Sequence, residues 1–334
     1  MIEEATNRLK LLEILAGSEG QIVPSSTLTD ALALSRQAAF KLIGALRGEG
    51  LDIESVPQKG YILNSIYQTQ AMSPTLIDFL LRTNQLFSKC YYYPEVDSTQ
   101  AVAKKFAWDN TPAGVVVTTD SQTEGRGRRG RSWISPAGKN LYFSILLRPN
   151  LKPGDVQLLN LAAGIAVRET LIQEYGVDAE LKWPNDVLSG GKKICGILSE
   201  AAGDADKIYY AITGIGVNVN MSADDLSADL KKTATSMLIE KHCAISRPIL
   251  LRDIFSRFSE LMRVLENPDA GVEKLLSIYR QSCDTIGKEV RVIQDDEEFQ
   301  GRALDVTGQG ALIVEIDGKE KAFAAADVHH LRLK

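Results

Sequence analysis

The chain has 334 residues, 44% of them hydrophobic and 24% charged, and carries a formal net charge of −5. That length suits two or three domains with a sizeable core, and the mild acidity makes any cluster of cations a local feature. No apolar run approaches the roughly 20 residues of a membrane span, and the Met1 end (Met-Ile-Glu-Glu) lacks the basic and apolar regions of a secretory leader.

Residues 1–64 read as one unit. An amphipathic helix runs from about Thr6 to Ala16 with Leu9, Leu12 and Leu15 or Ala16 on one face. Ser25-Ser26 offers N-caps for a short helix carrying Leu28 and Leu32. Ser35 caps a second helix, Arg36 to Arg47, that buries Ala39, Ile43 and Leu46. Two β segments follow, Asp52 to Val56 and Gly60 to Leu63, joined by Pro57-Gln58-Lys59. Helix, short helix, turn, helix, hairpin is the order of a winged helix-turn-helix; a small helical cap or oligomerisation module would show the same pattern. The outer side of the second helix carries Arg36, Gln37, Lys41 and Arg47 and no acid, which suits phosphate and base contact. Phe40 and Gly44 lie near that side, and neither reads bases by hydrogen bonding.

Residues 65–89 read as a polar linker with one helical stretch, Pro74 to Leu86, and without a core. From Tyr91-Tyr92-Tyr93 onward a larger unit, residues 90–283, is expected. Its strands are Cys90 to Tyr93, Gly114 to Asp120, Leu141 to Leu147, Glu180 to Trp183, Lys193 to Ala201 and Ile208 to Val217. Its helices are Ser98 to Trp108, Asp155 to Glu174, Pro248 to Leu265 and Gly271 to Ser282. Runs of strands with helices between them, without strict alternation, indicate an α+β domain on a mixed, largely antiparallel sheet. Residues 284–334 read as all-β, with strands at Val290 to Ile293, Glu298 to Leu304, Ala311 to Ile316 and Lys319 to Ala324. Turn signals at Asp295-Asp296, Gly308-Gln309-Gly310 and Asp317-Gly318 separate them, giving a small barrel of SH3-like size. The expected fold class is therefore multidomain α+β.

Cys90, Cys195, Cys243 and Cys283 are scattered without a Cys-x-x-Cys pair, and His242, His329 and His330 lie far in sequence from the motifs. A metal cage is not expected, and reduced thiols in a cytoplasmic protein are.

Four motifs in the central unit carry chemistry. Gly125-Arg126-Gly127-Arg128-Arg129-Gly130-Arg131, followed by Ser132-Trp133, packs three glycines and four arginines into seven residues. Glycine allows close backbone approach and arginine supplies a forked, permanent cation, so the segment reads as a lid over an anion. A solvated charge run or an Arg/Gly segment on nucleic acid would look the same. Asp97-Ser98-Thr99-Gln100 offers hydroxyls and an amide at a helix start, for a polar ligand or as a plain cap. Lys182-Trp183-Pro184-Asn185-Asp186 ends a strand, and Lys193 precedes Gly196 on the next; a surface turn and solvated lysines are the plain alternatives. Gly214-Ile215-Gly216-Val217-Asn218 is not a G-x-G-x-x-G fingerprint, and no P-loop is present, so arginines, lysines and amides would have to hold any nucleotide.

Taken in order, these residues resemble the biotin protein ligases in the two-function bacterial form that is also the biotin operon repressor. The match includes Val96-Asp97-Ser98-Thr99, Gln122 with Gly125 to Arg131 and Trp133, Ser135-Pro136, Asn140-Leu141-Tyr142, the Lys-Trp-Pro-Asn-Asp turn, Lys193 with Gly196-Ile197-Leu198, and Gly214 to Asn218. The resemblance implies that biotin and ATP, with Mg²⁺, give biotinyl-5′-AMP and pyrophosphate, and that biotin then passes to a lysine of a biotin carboxyl carrier protein. It implies catalytic roles for Lys193, Arg126 and Arg128. It implies biotin contacts from Ser98, Thr99, Gln100, Gln122, Gly125, Arg126, Gly127, Arg128, Lys193 and Gly196. Adenylate contacts would come from Arg128, Arg129, Arg131, Trp133, Asn185, Asp186 and Asn218, with the Mg²⁺ of ATP near Asp186. Operator DNA would be met by Ser35, Arg36, Gln37, Lys41, Arg47 and Lys59, in a homodimer promoted by the adenylate. Gln100 stands where the family usually has Asn, and Glu124 stands beside the lid where a small residue is common, poised to pair with a lid arginine. A regulator that only senses biotin, or a ligase of the related lipoyl type with Cys195 near its site, would share part of this pattern.

Overall fold

A computed structural model describes residues 2–295 and 297–331. The first unit contains α1 (Ile2–Ala16), β1 (Val23–Pro24), α2 (Ser25–Leu32), α3 (Arg36–Gly48), β2 (Ile53–Val56) and β3 (Gly60–Leu63). Leu11, Leu12, Leu15, Leu28, Ile43 and Leu46 are fully buried between the three helices and the small sheet, whose strand order is β1-β3-β2. Ser35 caps α3 by accepting from the Ala38 amide at 3.2 Å. The expected Ser25-Ser26 cap of α2 does not form. The N-cap is Pro24, whose side chain offers no acceptor, because that residue is held extended by pairing with Gly60.

The segment read as a coreless linker is packed on both sides. It holds α4 (Pro74–Leu81), in which Leu76 lies in the N-terminal core while Ile77 and Leu81 lie in the central one. The Glu49 carboxylate, just beyond α3, accepts from Thr75 Oγ1 and N, Ser73 Oγ and Arg8 Nη1. The helix stops at Leu81 rather than Leu86 because the Asn84 side chain accepts from the Leu86 amide, a local turn that competes with helix.

The central sheet has seven strands: β4 (Lys89–Val96), β5 (Val115–Gln122), β6 (Leu141–Leu147), β7 (Glu180–Lys182), β8 (Asp186–Ser189), β9 (Lys192–Gly203) and β10 (Ile208–Val217). Their order is β4-β5-β6-β10-β9-β8-β7, with β4 and β5 parallel and every other pair antiparallel. Side chains alternate across the sheet. Val115, Val117, Leu146 and Ile212 pack on α5 (Thr99–Trp108). Val116, Ile145 and Ala211 face a larger core built on α6 (Val156–Gln173), α9 (Arg247–Leu265) and α10 (Gly271–Ser282). Strand β8 and the short α7 (Leu230–Thr233) and α8 (Met237–Lys241) were not legible from periodicity, being too short to show one.

The C-terminal unit is a five-stranded antiparallel sheet of β11 (Glu289–Gln294), β12 (Glu297–Val306), β13 (Leu312–Ile316), β14 (Lys319–Phe323) and β15 (Asp327–His330), in the order β14-β13-β12-β11-β15. Of the Asp295-Asp296 turn, Asp295 takes φ 49° and Asp296 lies outside the described residues. Strand β15 was not expected and pairs with β11. Val290, Val292, Leu312 and Phe323 share the core of the central unit, and the Trp183 indole N–H donates to the Gly310 carbonyl at 2.9 Å. Among the described residues no helix is long and apolar enough to cross a membrane.

Candidate functional site

A cavity of about 890 Å³ opens over the central sheet, walled by the lid on one side and by the C-terminal sheet on another. Its floor is the β9–β10 pair, where Gly196 and Gly216 stand opposite each other in register. A Cβ on Gly196 would come within 2.7 Å of the Trp133 ring, and one on Gly216 within 2.8 Å. Those glycines exist so that the indole can lie against the backbone. Trp133 Nε1 is buried with no hydrogen-bond partner among the described residues.

One end of the cavity is polar and pre-arranged. The Gln122 side-chain oxygen accepts from the Thr99 amide at 2.9 Å and from the Thr99 hydroxyl at 3.2 Å, while its Nε2 donates to Ser135 Oγ at 3.1 Å. Ser98 makes no side-chain cap; Gln122, reaching from β5, takes the orphan amide of α5 instead. Gln100 donates to the Leu198 carbonyl at 2.7 Å, which leaves its oxygen as an acceptor. Ser98, Thr99 and Gln100 are all buried polar groups lining the cavity.

The arginine segment is a closed hairpin rather than an extended strap. Arg126 bridges to Ser132, the Gly127 amide donates to Arg131 O at 2.7 Å, and Trp133 N donates to Gly125 O at 2.8 Å. Arg129 and Gly130 take positive φ at its tip. Arg128 donates to the Ala326 carbonyl at 3.3 Å; Arg129 donates to Ile293 O and to Asp327, which also pairs with Arg131. Arg126 also lines the cavity, exposed, with Glu124 at 3.5 Å, the pairing anticipated for that acid. Burial lowers the Arg128 pKa, against the raising effect of Asp327 and Asp186, but an arginine keeps its charge regardless.

At the strand ends, Lys193 Nζ lies 2.6 Å from Asp186 Oδ1 and 5.2 Å from the Trp133 ring centroid. Lys182 pairs across the β7–β8 register with Asp186, and its own pKa is lowered, chiefly by burial. The Trp183–Pro184 peptide is cis. Asn185 and Asn218 line the cavity, but their amide groups are committed to protein carbonyls: Asn185 to Ile197 O at 2.8 Å, and Asn218 to Thr235 O at 2.9 Å.

Two histidines that seemed remote in sequence also line the cavity. His329 and His330 arrive on β15, next to β11. Burial, with help from Lys182, lowers both pKa values, His330 to about 4, although Asp284 Oδ2 lies 3.5 Å from its Nδ1. Asp284 and Asp327, also unforeseen, line the same wall. No local sequence signal marks these four; antiparallel pairing of β15 with β11 brings Asp327, His329 and His330 there, and Asp284 is held by its amide donating to the Leu181 carbonyl at 2.7 Å. Cys195 is fully buried and its thiol is pushed up by burial, so it is no nucleophile. Among the described residues, no three His, Cys, Asp or Glu side chains are placed to hold a metal ion.

On the first unit, Arg36, Gln37, Phe40 and Lys41 are exposed along α3, and Lys59 is exposed in the β2–β3 turn. Arg47, expected at DNA, is spent within the fold: its guanidinium donates to Ile53 O at 2.7 Å and Ser55 Oγ at 2.8 Å, bracing the wing. The Ser35 hydroxyl is likewise engaged as the α3 cap.

Comparison with known proteins gives three family matches. Residues 92–218 match the biotin/lipoate A/B protein ligase family, residues 285–331 the biotin protein ligase C-terminal domain, and residues 7–62 a helix-turn-helix domain. The bifunctional ligase/repressor BirA of Bacillus spizizenii is 33% identical over 324 residues, covering 97% of this chain and 98% of that protein. Its counterpart in Escherichia coli is 30% identical over 334 residues, covering 98% of each. The structure of biotin protein ligase from Aquifex aeolicus in complex with biotin and ATP matches with a TM-score of 0.63 and 27% identity, over 74% of this chain and 100% of that one.

Proposed function

The chain belongs to the bifunctional biotin protein ligase/repressor family, and from that premise we propose how its own residues carry the two activities. As a biotin protein ligase it joins biotin and ATP into biotinyl-5′-AMP with release of pyrophosphate, then passes biotin to a lysine of a biotin carboxyl carrier acceptor. Through its helix-turn-helix it is also a biotin-responsive repressor.

The observation that carries the residue assignment is the meeting of cations and buried amides in one cavity. Adenylation brings a carboxylate against an α-phosphate, and two anions repel. Lys193, with Arg128 on the lid, neutralises both where the carboxylate oxygen attacks phosphorus and pyrophosphate leaves. Lys193 is held ready by Asp186 and exchanges that partner for the arriving anions. Ser98, Thr99, Gln100 and Gln122 hold the ureido head of biotin: Thr99, Gln100 and Gln122 offer hydrogen-bonded, fixed groups at the buried polar end, and Ser98 a buried hydroxyl beside them. Trp133, lying on its glycine floor, supplies an aromatic face beside the adenine.

Arg126, Arg129 and Arg131 close the rim with Gly125 and Gly127, and Gly196 leaves room for the ligand; excluding water protects the mixed anhydride from hydrolysis. Asn185, Asn218 and Asp186 shape the adenylate end. In the second step the acceptor amine attacks the acyl carbon and AMP leaves with the bonding electrons. No enzyme nucleophile is required, in keeping with the buried Cys195.

Asp186 fits a Mg²⁺ brought in with ATP. Its Oδ1 is buried in an ion pair with Lys193 without an aligned hydrogen bond, which leaves acceptor capacity on that carboxylate. One protein carboxylate plus substrate phosphates is an ordinary magnesium donor set. Such an ion would screen the phosphates of the leaving group. Arg36, Gln37, Lys41 and Lys59 face operator DNA, and adenylate binding promotes the homodimer that reads two half-sites.

The test is labelled-biotin transfer to a purified carrier domain, with and without MgATP. ATP-dependent labelling is expected, and Lys193→Ala should reduce it by about 10²–10³-fold, the effect of removing one preorganised charge donor. Labelling by Lys193→Ala at the wild-type rate would overturn the assignment of that lysine.

A further inference from the structure

Phe40 is the anomaly of the DNA-facing helix. Its side chain is 59% exposed although phenylalanine is normally buried, and its ring makes no aromatic or cation contact among the described residues. It stands one helical turn beyond Arg36 and Gln37 and beside Lys41, all exposed, with no acid on that face. One turn further, Gly44 presents open space: a Cβ built there would meet nothing within 4 Å. Next to the ring, between α2, α3 and β3, lies a hollow of about 370 Å³ with Leu28, Ala39 and Tyr61 in its wall.

A cationic helix face with one apolar side chain at its centre, and a missing side chain one turn on, suits a polyanion whose groove carries an apolar group. In the major groove of B-DNA that group is the C5-methyl of thymine, the apolar mark on a base edge that separates T·A from the other pairs. Resting on the repressor reading above, we propose that Phe40 is a specificity-determining residue that selects thymine in each operator half-site by packing on its methyl group. Arg36 and Gln37 read neighbouring base edges or phosphates, and Gly44 lets the helix sit close enough for the ring to reach. Phenylalanine has no donor or acceptor, so discrimination at this position comes from the methyl group alone.

The experiment uses the full chain with biotin and MgATP. A duplex with a randomised 40-base-pair centre is selected on the wild-type protein, and the enriched duplex is resynthesised with each thymine replaced in turn by deoxyuracil, which deletes the methyl and keeps every hydrogen-bonding group. At one position per half-site, uracil should weaken wild-type binding by about fourfold, the factor for one buried methyl group. Phe40→Ala should bind thymine and uracil duplexes alike at that position, and Phe40→Leu should keep part of the preference. Biotin transfer at the wild-type rate shows that the ligase unit of both variants is intact, and an unchanged urea midpoint of the first unit shows that the unit carrying Phe40 is folded.

The same uracil sensitivity in Phe40→Ala as in wild type would overturn the proposal. So would a loss of affinity in Phe40→Ala that is equal for both bases and accompanied by loss of the dimer in sedimentation, which would place Phe40 at a protein contact. If the wild type enriches no sequence, the repressor reading fails and this inference with it; if it enriches one without such a position, only this inference falls.

Discussion

Replacing Gly216 by alanine isolates the role of the Trp133 seat. The new methyl would lie 2.8 Å from Cε2 and Nε1 and 3.1 Å from Cζ2 of the indole, whereas carbon atoms rest at about 3.5–4.0 Å. The ring must therefore retreat by roughly 1 Å. Its amide is tied to Gly125 O at 2.8 Å, so the retreat carries the base of the arginine hairpin with it. A displacement of that size at a substrate-positioning group costs on the order of 10²-fold in rate. The fold itself should tolerate the change, because Gly216 is in an extended strand without positive φ. Alanine gains about 0.5–1 kcal/mol there from reduced backbone entropy, against about 1–3 kcal/mol of overpacking. Biotin-dependent exchange of labelled pyrophosphate into ATP should fall by about 10²-fold with the melting temperature within a few degrees of wild type. Gly196→Ala, at 2.7 Å from the other edge of the ring, should behave similarly, and Gly308→Ala, with open space around it, should do nothing. Exchange by Gly216→Ala within threefold of wild type would refute the claim that Trp133 must lie on the strand.

Three further outcomes are expected. Asp327→Asn should free Arg129 and Arg131; with the arginines partly or largely exposed and the shared carboxylate only 15% exposed, each pair is worth about 1 kcal/mol, so biotinyl-AMP should escape into solution several-fold faster, and unchanged retention would detach the lid from the C-terminal sheet. Arg47→Ala removes two hydrogen bonds from the wing and should cost about 1–3 kcal/mol in urea unfolding of the first unit, more than a solvent-facing DNA contact would; an undiminished midpoint would return Arg47 to the DNA face. His330 has a folded pKa of about 4 against about 6.5 unfolded. The unfolded state then binds the extra proton between these values, so its contribution is full above pH 6.5 and is lost as pH falls towards 4. Discounted for partial exposure, that is about 1–2 kcal/mol, and His330→Gln should flatten this part of the stability profile; an identical slope would show that another group titrates there.

Much of the site could be seen in the chain because its chemistry is local. The α3 cap at Ser35, the glycine-arginine hairpin, the Lys-Trp-Pro-Asn-Asp turn and the strand glycines are each specified within a few residues. Arg47 misled because a helix face shows which side a residue takes but not whether a neighbouring strand already holds it. Residues 65–89 misled because one eight-residue helix can serve two cores at once, which polarity averaged along the segment conceals.

By itself the sequence determined the type and order of most of the longer elements, the identity of the cations and amides, and the motifs whose spacing resembles one family. These follow from periodicity, capping and motif spacing, which are near-neighbour properties. Only the tertiary structure decided which of those groups meet. Asp327 holds the arginines some 196–198 residues before it, and His330 faces the cavity on a strand too short to declare itself. Trp133 lies on glycines from two other strands. Contacts between distant segments are set by sheet register and by burial of a shared core, and no short window of the sequence encodes either.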